Sequence, residues 1–491
     1  MCPDPKTLKT KVLFGFSAIP DQLTYQAFTF LIFTYYFAVV RINMLLMWTA
    51  YVIWGIWNAI NDPLLGALSD RTRHRKLGRR IYLYISIIPL SLMMIFLFTA
   101  PYAAELINFF YFLFIILLFE GIYTLYSVNV NAIFPEMFPN EKERATTNLF
   151  VKGFTVVALI FSFLLPTIII PHLVISTDFI LDKFVIAFLL KIPEVPFVLI
   201  NVALENTRIA SNYIFNGLLL CIITIIAAIP FIFFGIKEDE EPPELHARRP
   251  PYLQSLKISL KNKTFIKFVV ANTGLWYIFG LLPTIIPLYS IYVLGFDRES
   301  ILIGISLLLA FVIAAIFFPI QKKIGEKLGM RNGLILTCVV WIFTLFPYVL
   351  FFDAEIIRII YIFVTASQGF SLSGALYFVD ILHGDIIDQD ELKTGVRRPG
   401  SYYGINAFIN RLSIILIISS IALVFTGTGW SEYSPAVADP LLIAIGLKTL
   451  MFVFPAIAMI VAIFALRSYE LHGKTLDEMR EQLNRKRNEI N

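Results

Sequence analysis

Charge is what this 491-residue chain has little of: Lys, Arg, Asp and Glu together make up 15% of it, against 58% hydrophobic residues. A water-soluble chain of that length needs more polar surface, even when divided into several domains, so a soluble globular class is excluded. Cysteine is scarce as well. Of the three, Cys221 and Cys338 lie inside apolar runs and Cys2 sits at the amino terminus, which excludes a disulfide framework and a cysteine metal site. The five histidines stand in loops or at segment ends, which argues against a histidine metal centre. The net charge of +5 is modest and unclustered, so no nucleic-acid partner is expected. The opening residues MCPDPKTLKTK lack the cleavage pattern of a signal peptide, and the apolar run after them reads as a retained first helix.

Long apolar blocks are what the chain has in abundance. A membrane-crossing helix needs about 20 such residues. Twelve segments meet that length, near 11–40, 45–69, 81–100, 106–134, 149–170, 213–236, 265–290, 300–319, 334–352, 357–379, 403–426 and 441–466. Helices are predicted, because a membrane barrel would show short alternating segments instead. Basic residues gather in loops of one parity. Arg71, Arg73, Arg75, Lys76, Arg79 and Arg80 follow the second segment, and Lys322, Lys323, Lys327 and Arg331 follow the eighth. Loops 101–105 and 427–438 have no lysine or arginine. The positive-inside rule then places both termini in the cytoplasm of a multi-pass cell-membrane protein.

The charged, proline-rich stretch 237–264 predicts a cytoplasmic linker between an N-terminal half, 1–236, and a C-terminal half with a cytoplasmic tail, 265–491. Two six-helix halves make an all-α integral membrane protein of the major facilitator architecture, which binds substrate between the halves. One region departs from the scheme. Residues 171–212 are apolar but interrupted by Lys191, Pro193, Glu194 and Pro196, so a folded external lid or interfacial helix pair is expected there.

An ionisable residue at mid-bilayer costs about 2.5–3.5 kcal/mol on insertion scales, so each one is a functional candidate. In WNAINDPLLGALSDRTRHRKLGRR, residues 57–80, Asn58, Asn61 and Asp62 fall on one helix face, and Pro63 frees the Ala59 carbonyl. Those oxygens suit a small hard cation, or a proton on Asp62. A structural hydrogen-bond knot between helices is the alternative. The fourth span adds Glu120, Thr124, Ser127 and Asn131 along one face. Ser127 is expected at the depth of Asp62, and Glu120 about 10 Å farther out as a second protonatable group. Asp21 and Gln22 sit midway along the first span, and Lys152 lies near the inner end of the fifth. Arg411 is two turns inside the eleventh span, beside Asn406 and Asn410, while Asn272, Trp276 and Tyr277 give the seventh an amide and aromatic face. No nucleophile–base pair is visible, and the GKT at 473–475 lacks the earlier glycine of a nucleotide-binding loop.

The run WNAINDP followed by GALSDRTRHRKLGRR, with DIIDQDELKTGVRRPGSYYG at 385–404, resembles the glycoside–pentoside–hexuronide:cation symporter (melibiose permease-like) family. The resemblance implies a transporter and not an enzyme: a symporter of a sugar or glycoside that works by alternating access. It places the cation site at Asn58, Asn61, Asp62, Thr124 and Ser127. Gln22 and Lys152 fall where sugar-binding members have an acidic and a basic residue, and Arg411 falls where a lysine is expected. The full candidate substrate set is Asp21, Gln22, Glu120, Lys152, Asn406 and Arg411. The candidate cytoplasmic gate is Asp70, Arg71, Arg79, Asp385 and Asp388.

Departures from the family pattern carry information too. Asn58 and Ser127 replace aspartates typical of sodium-using members, so H+ is the favoured coupling ion and Na+ the other that the oxygens could hold. Gln22 replaces the sugar-gripping aspartate, which keeps two alternatives open: a lysolipid or other amphipathic substrate, or a non-transporting sensor on the same fold. No cofactor is expected. The partners are a small-molecule substrate and the lipid bilayer, and the chain is expected to work as a monomer.

Overall fold

A computed structural model describes residues 7–71, 79–101, 104–138, 141–170, 197–236, 261–296, 300–394, 399–433 and 439–490. Among the described residues there are helices and no strands. The bilayer core offers no water to backbone amides and carbonyls, and a helix satisfies them within one segment. The N-terminal helices are α1 Leu8–Gly15, α2 Ala18–Thr34, α3 Met44–Arg71, α4 Arg80–Phe96, α5 Glu105–Met137, α6 Glu141–Leu159, α7 Leu165–Ile169 and α8 Phe197–Ile229. The C-terminal ones are α9 Lys263–Tyr292, α10 Ser300–Leu328, α11 Met330–Leu345, α12 Pro347–Leu350, α13 Glu355–Thr394, α14 Pro399–Gly427, α15 Pro440–Lys448, α16 Phe454–Arg467 and α17 Lys474–Ile490.

Each of the twelve expected apolar segments falls on one of these helices or on a run of them. Nine helices among the described residues are long and apolar enough to cross a membrane. The first expected span is divided between α1, α2 and a π-helical turn at Tyr35–Val39, the second is α3, and the third, α4, has only 17 residues. Further π-helical turns at Ile160–Leu164, Pro230–Gly235 and Thr449–Val453 adjoin or contain Pro166, Pro230 and Pro455. Proline lacks the N–H that would close an ordinary turn and its ring crowds the preceding carbonyl, so the helix widens there.

The expected external segment 171–212 runs into the sixth span as one helix over its last part. Helix α8 begins at Phe197, so residues 197–212 are helical and continuous with the sixth span, while 171–196 lie outside the described residues. Pro196 ends the interrupted part, and no proline or glycine follows until Gly217, so nothing local stops the helix from propagating back to 197. Residues 237–260 of the expected linker also lie outside the described residues.

By contact the chain forms two compact units. The first comprises Met1–Glu241 with Ile286–Leu308 and Ile421–Gly446. Within it, α3 packs along α5, α4 against α8, and α2 against α6. Close approach of α4 and α8 depends on Gly217, where a Cβ would fall against the Met94 carbonyl oxygen. A Lys11–Glu143 ion pair of 3.3 Å, with both side chains largely covered, ties α1 to α6. One end of the unit is closed by rings: Phe37 lies 5.1 Å from Phe425 and 5.3 Å from the fully buried Trp430, and Tyr292 donates to Tyr433 at 2.6 Å. There the Met44 amide donates to the Ser431 carbonyl at 2.7 Å.

The second unit comprises Pro242–Ile285, Leu309–Ser420 and Leu447–Asn491. Helix α11 packs between α13 and α16. Helix α13 has 40 residues and so runs about 60 Å, twice the hydrocarbon thickness of a bilayer. The tail helix α17 packs on it, burying Met479 and Leu483 on its one apolar face.

Candidate functional site: a buried oxygen cluster between two helices

Helix α3 presents Trp54, Asn58, Asn61 and Asp62 at i, i+4, i+7 and i+8, one continuous face. Parallel to it, α5 presents Glu120 and Thr124 one turn apart. Their meeting is direct. The Thr124 hydroxyl donates to Asp62 Oδ1 at 3.0 Å and lies 3.5 Å from Glu120 Oε1. The Trp54 indole N–H donates to Glu120 Oε2 at 3.1 Å, and Asn61 Nδ2 donates to the Glu120 main-chain carbonyl at 3.2 Å.

The cluster is dry. Glu120 and Asn61 are 0% exposed and Asn58 and Thr124 1%, while Asp62 is half-buried. The side-chain oxygens of Asn58 and Asn61 are buried with no hydrogen-bond partner. An unfilled buried acceptor is unfavourable by about 1–3 kcal/mol, so two side by side call for a positively polarised partner. Carboxylate, hydroxyl and amide oxygens together make a hard donor set, suited to a hard cation.

Helix α3 runs unbroken through Pro63. The expected register between α3 and α5 is displaced: Thr124, not Ser127, lies level with Asp62, and Ser127 accepts a hydrogen bond from Asn131 at 3.4 Å. Depths counted along two separate straight helices miss the offset that packing sets between them. Glu120 correspondingly belongs with the Asp62 cluster and not about 10 Å outside it.

Among the other expected substrate residues, Gln22 Nε2 donates to Asp21 Oδ2 at 2.8 Å, so these two engage each other. Lys152 is exposed on α6. In the second unit, Asn272 Nδ2 donates to Asn406 Oδ1 at 2.9 Å, with half-buried Arg411 farther along the same helix, α14. Tyr277 shares a 2.7 Å hydrogen bond with Ser420.

Of the expected gate residues, buried Arg79 donates to Ser69 Oγ at 3.3 Å, while the side chains of Asp70 and Arg71 lie outside the described set, as do residues 72–78. Asp385 is buried and pairs with Arg480 of the tail helix at 2.7 Å, and Asp388 is half-buried one turn away. Two contributors escape a reading of the sequence. Trp54 carries a signal, its helical spacing from Asn58 and Asn61, but tryptophans in membrane helices more often pack. Arg480 carries none, because it meets Asp385 across 95 residues of chain.

The chain is similar to known transport proteins in sequence and in fold. The family model for MFS/sugar transport proteins matches residues 13–473. An uncharacterised symporter of Synechocystis sp. is 22% identical over 488 residues, covering 88% of each chain. A putative sulfoquinovose importer of Salmonella typhimurium is 30% identical over 248 residues, covering 47% of each. A sodium-dependent lysophosphatidylcholine symporter of Danio rerio is 22% identical over 504 residues, covering 98% of this chain and 88% of its own. Among solved structures, the nucleoside transporter NupG aligns with a TM-score of 0.62 at 11% identity, over 94% of this chain and 100% of its own, which is a likeness of fold.

Proposed function

The chain belongs to the MFS/sugar transport protein family, and from that membership we propose that it is a cation-coupled symporter of a sugar or glycoside. Its coarser identity is plain: a multi-span membrane transporter of the major facilitator kind, not an enzyme. The observation that carries the coupling is the Asp62–Thr124 contact beside two unfilled amide oxygens, those of Asn58 and Asn61. A cation held there neutralises the Asp62 carboxylate, and favours one conformation over the other by its differential binding. In this reading the coupling ion is H+, since one proton on Asp62 neutralises it without further ligands. The unfilled amide oxygens support Na+ as the alternative. A sugar or glycoside is supported by the family description and by the likeness to the putative sulfoquinovose importer.

One observation favours a second reading. The lysophosphatidylcholine symporter is similar over nearly the whole chain, and Gln22 stands where a sugar-gripping carboxylate is expected. An amphipathic lysolipid is the substrate on that reading, with the same cation site. Uptake into proteoliposomes across a panel of glycosides and lysolipids, under imposed H+ or Na+ gradients, tests both. Accumulation of a glycoside driven by either gradient supports the first reading, and accumulation of a lysolipid alone supports the second. Substrate uptake that ignores both gradients would sink symport altogether.

A further inference from the structure

Glu120 has a surrounding that a substrate-facing carboxylate would not need. It is fully buried, its Oε2 accepts from the Trp54 indole at 3.1 Å, and its Oε1 lies 3.5 Å from the hydroxyl that serves Asp62. Trp54 is itself 3% exposed and fixed by rings, Phe28 at 5.4 Å and Tyr51 at 5.6 Å. An indole N–H can only donate, so its geometry selects an acceptor and holds that one oxygen in place. The second donor is shared. A threonine hydroxyl has one proton and cannot donate to both carboxylates at once.

A second, independent feature converges on the same point. Asn61 spends its amide N–H on the Glu120 main-chain carbonyl, which fixes the amide plane beside Glu120 and leaves Asn61 Oδ1 buried and unpartnered. Asn58 Oδ1, one turn away on the same face, is buried and unpartnered too. Two carboxylates thus meet at one hydroxyl, with two bare amide oxygens beside them.

We infer that Glu120 is a further ligand of the coupling cation and that Trp54 is its positioning residue, an inference that rests on reading the Asp62 cluster as the cation site. The ligand is a monovalent cation, Na+ or a proton. Glu120 then supplies the second carboxylate that the amide at Asn58 and the hydroxyl at Ser127 do not, from a place on α5 one turn removed from Thr124. Trp54 acts through Glu120 alone: it keeps Oε2 occupied so that Oε1 faces Thr124 and Asp62.

The test uses the purified full-length chain in detergent and requires no substrate. NaCl is titrated at constant ionic strength against choline chloride, and binding is followed by radiolabelled sodium. Protons are titrated in sodium-free buffer, followed by intrinsic tryptophan fluorescence. Glu120→Gln should raise the half-saturating Na+ about tenfold or more, or shift the proton titration by a comparable factor. Trp54→Phe keeps the packing and removes the N–H. It should weaken cation binding by a smaller factor in the radiolabel assay while the melting temperature stays near that of the parent, a combination that a purely structural tryptophan would not give. Should Asp62→Asn abolish cation binding while Glu120→Gln and Trp54→Phe titrate as the parent does, the inference is overturned and the cation-site reading stands. Parent-like titration of Asp62→Asn, or no response of the parent to either ion, overturns the cation-site reading itself and the inference with it.

Discussion

Replacing Thr124 with valine removes one hydroxyl and almost nothing else. The two side chains are close in shape and both are β-branched, so helix α5 and its contact with α3 should keep their geometry. What is lost is the hydrogen bond to Asp62 Oδ1 at 3.0 Å and the longer approach to Glu120 Oε1 at 3.5 Å. A hydrogen bond to a charged group contributes about 1.5–3 kcal/mol, and Thr124 is 1% exposed, so water does not replace it readily. If that bond orients Asp62 for Na+, its loss raises the half-saturating Na+ concentration by roughly 10- to 100-fold. Thr124→Ser keeps the hydroxyl and should stay within a fewfold of the parent. Cation-driven uptake into proteoliposomes, measured against Na+ at fixed pH and against pH without Na+, gives both numbers. A valine variant with parent-like cation dependence would refute the claim that this hydroxyl belongs to the site.

Three further outcomes follow from other parts of the structure. Gly217→Ala places a Cβ against the Met94 carbonyl oxygen, so α4 and α8 must separate, which costs about 1–3 kcal/mol; thermal unfolding in detergent should show it, while Gly121→Ala, with open space at its Cβ, should not lower stability. Arg480→Gln removes the partner of buried Asp385; because Arg480 is 49% exposed, the loss is about 1 kcal/mol, read as a roughly fivefold rise in amide exchange across α17. Lys267 donates to Glu470 at 2.8 Å, and that hydrogen bond, with the lysine charge, holds the Glu470 carboxyl below its usual range. The depressed value means the contact is intact above the ordinary glutamate value of about 4.3 and is lost as pH falls through the lower one. Amide exchange at 468–472 should therefore rise only once the pH falls below the ordinary glutamate range, and a rise near neutrality would contradict the assignment.

The helical membrane architecture could be read from the chain because hydrocarbon thickness sets span length, and long apolar blocks have few other uses. The Asn58–Asn61–Asp62 face was legible for the same kind of reason: fixed helical geometry turns spacing into a shared side. Relations between helices were not. Thr124 rather than Ser127 meets Asp62 because the offset of α5 against α3 comes from packing, which no single segment records. Trp54 looked like one more apolar residue until Glu120 was placed opposite its N–H. The backward extension of α8 to Phe197 was hidden by the charged and proline-bearing residues just before it. Asp385 stood out as a gate carboxylate, yet its pairing with Arg480 joins two points that only the folded tail brings together.

Coupling at Asp62 can be decided by a single comparison: uptake by parent and Asp62→Asn proteoliposomes under the same imposed H+ or Na+ gradient. The parent should concentrate its substrate above the external level, and Asp62→Asn should not, while remaining folded by its melting curve. Concentrative uptake by Asp62→Asn equal to that of the parent would contradict it.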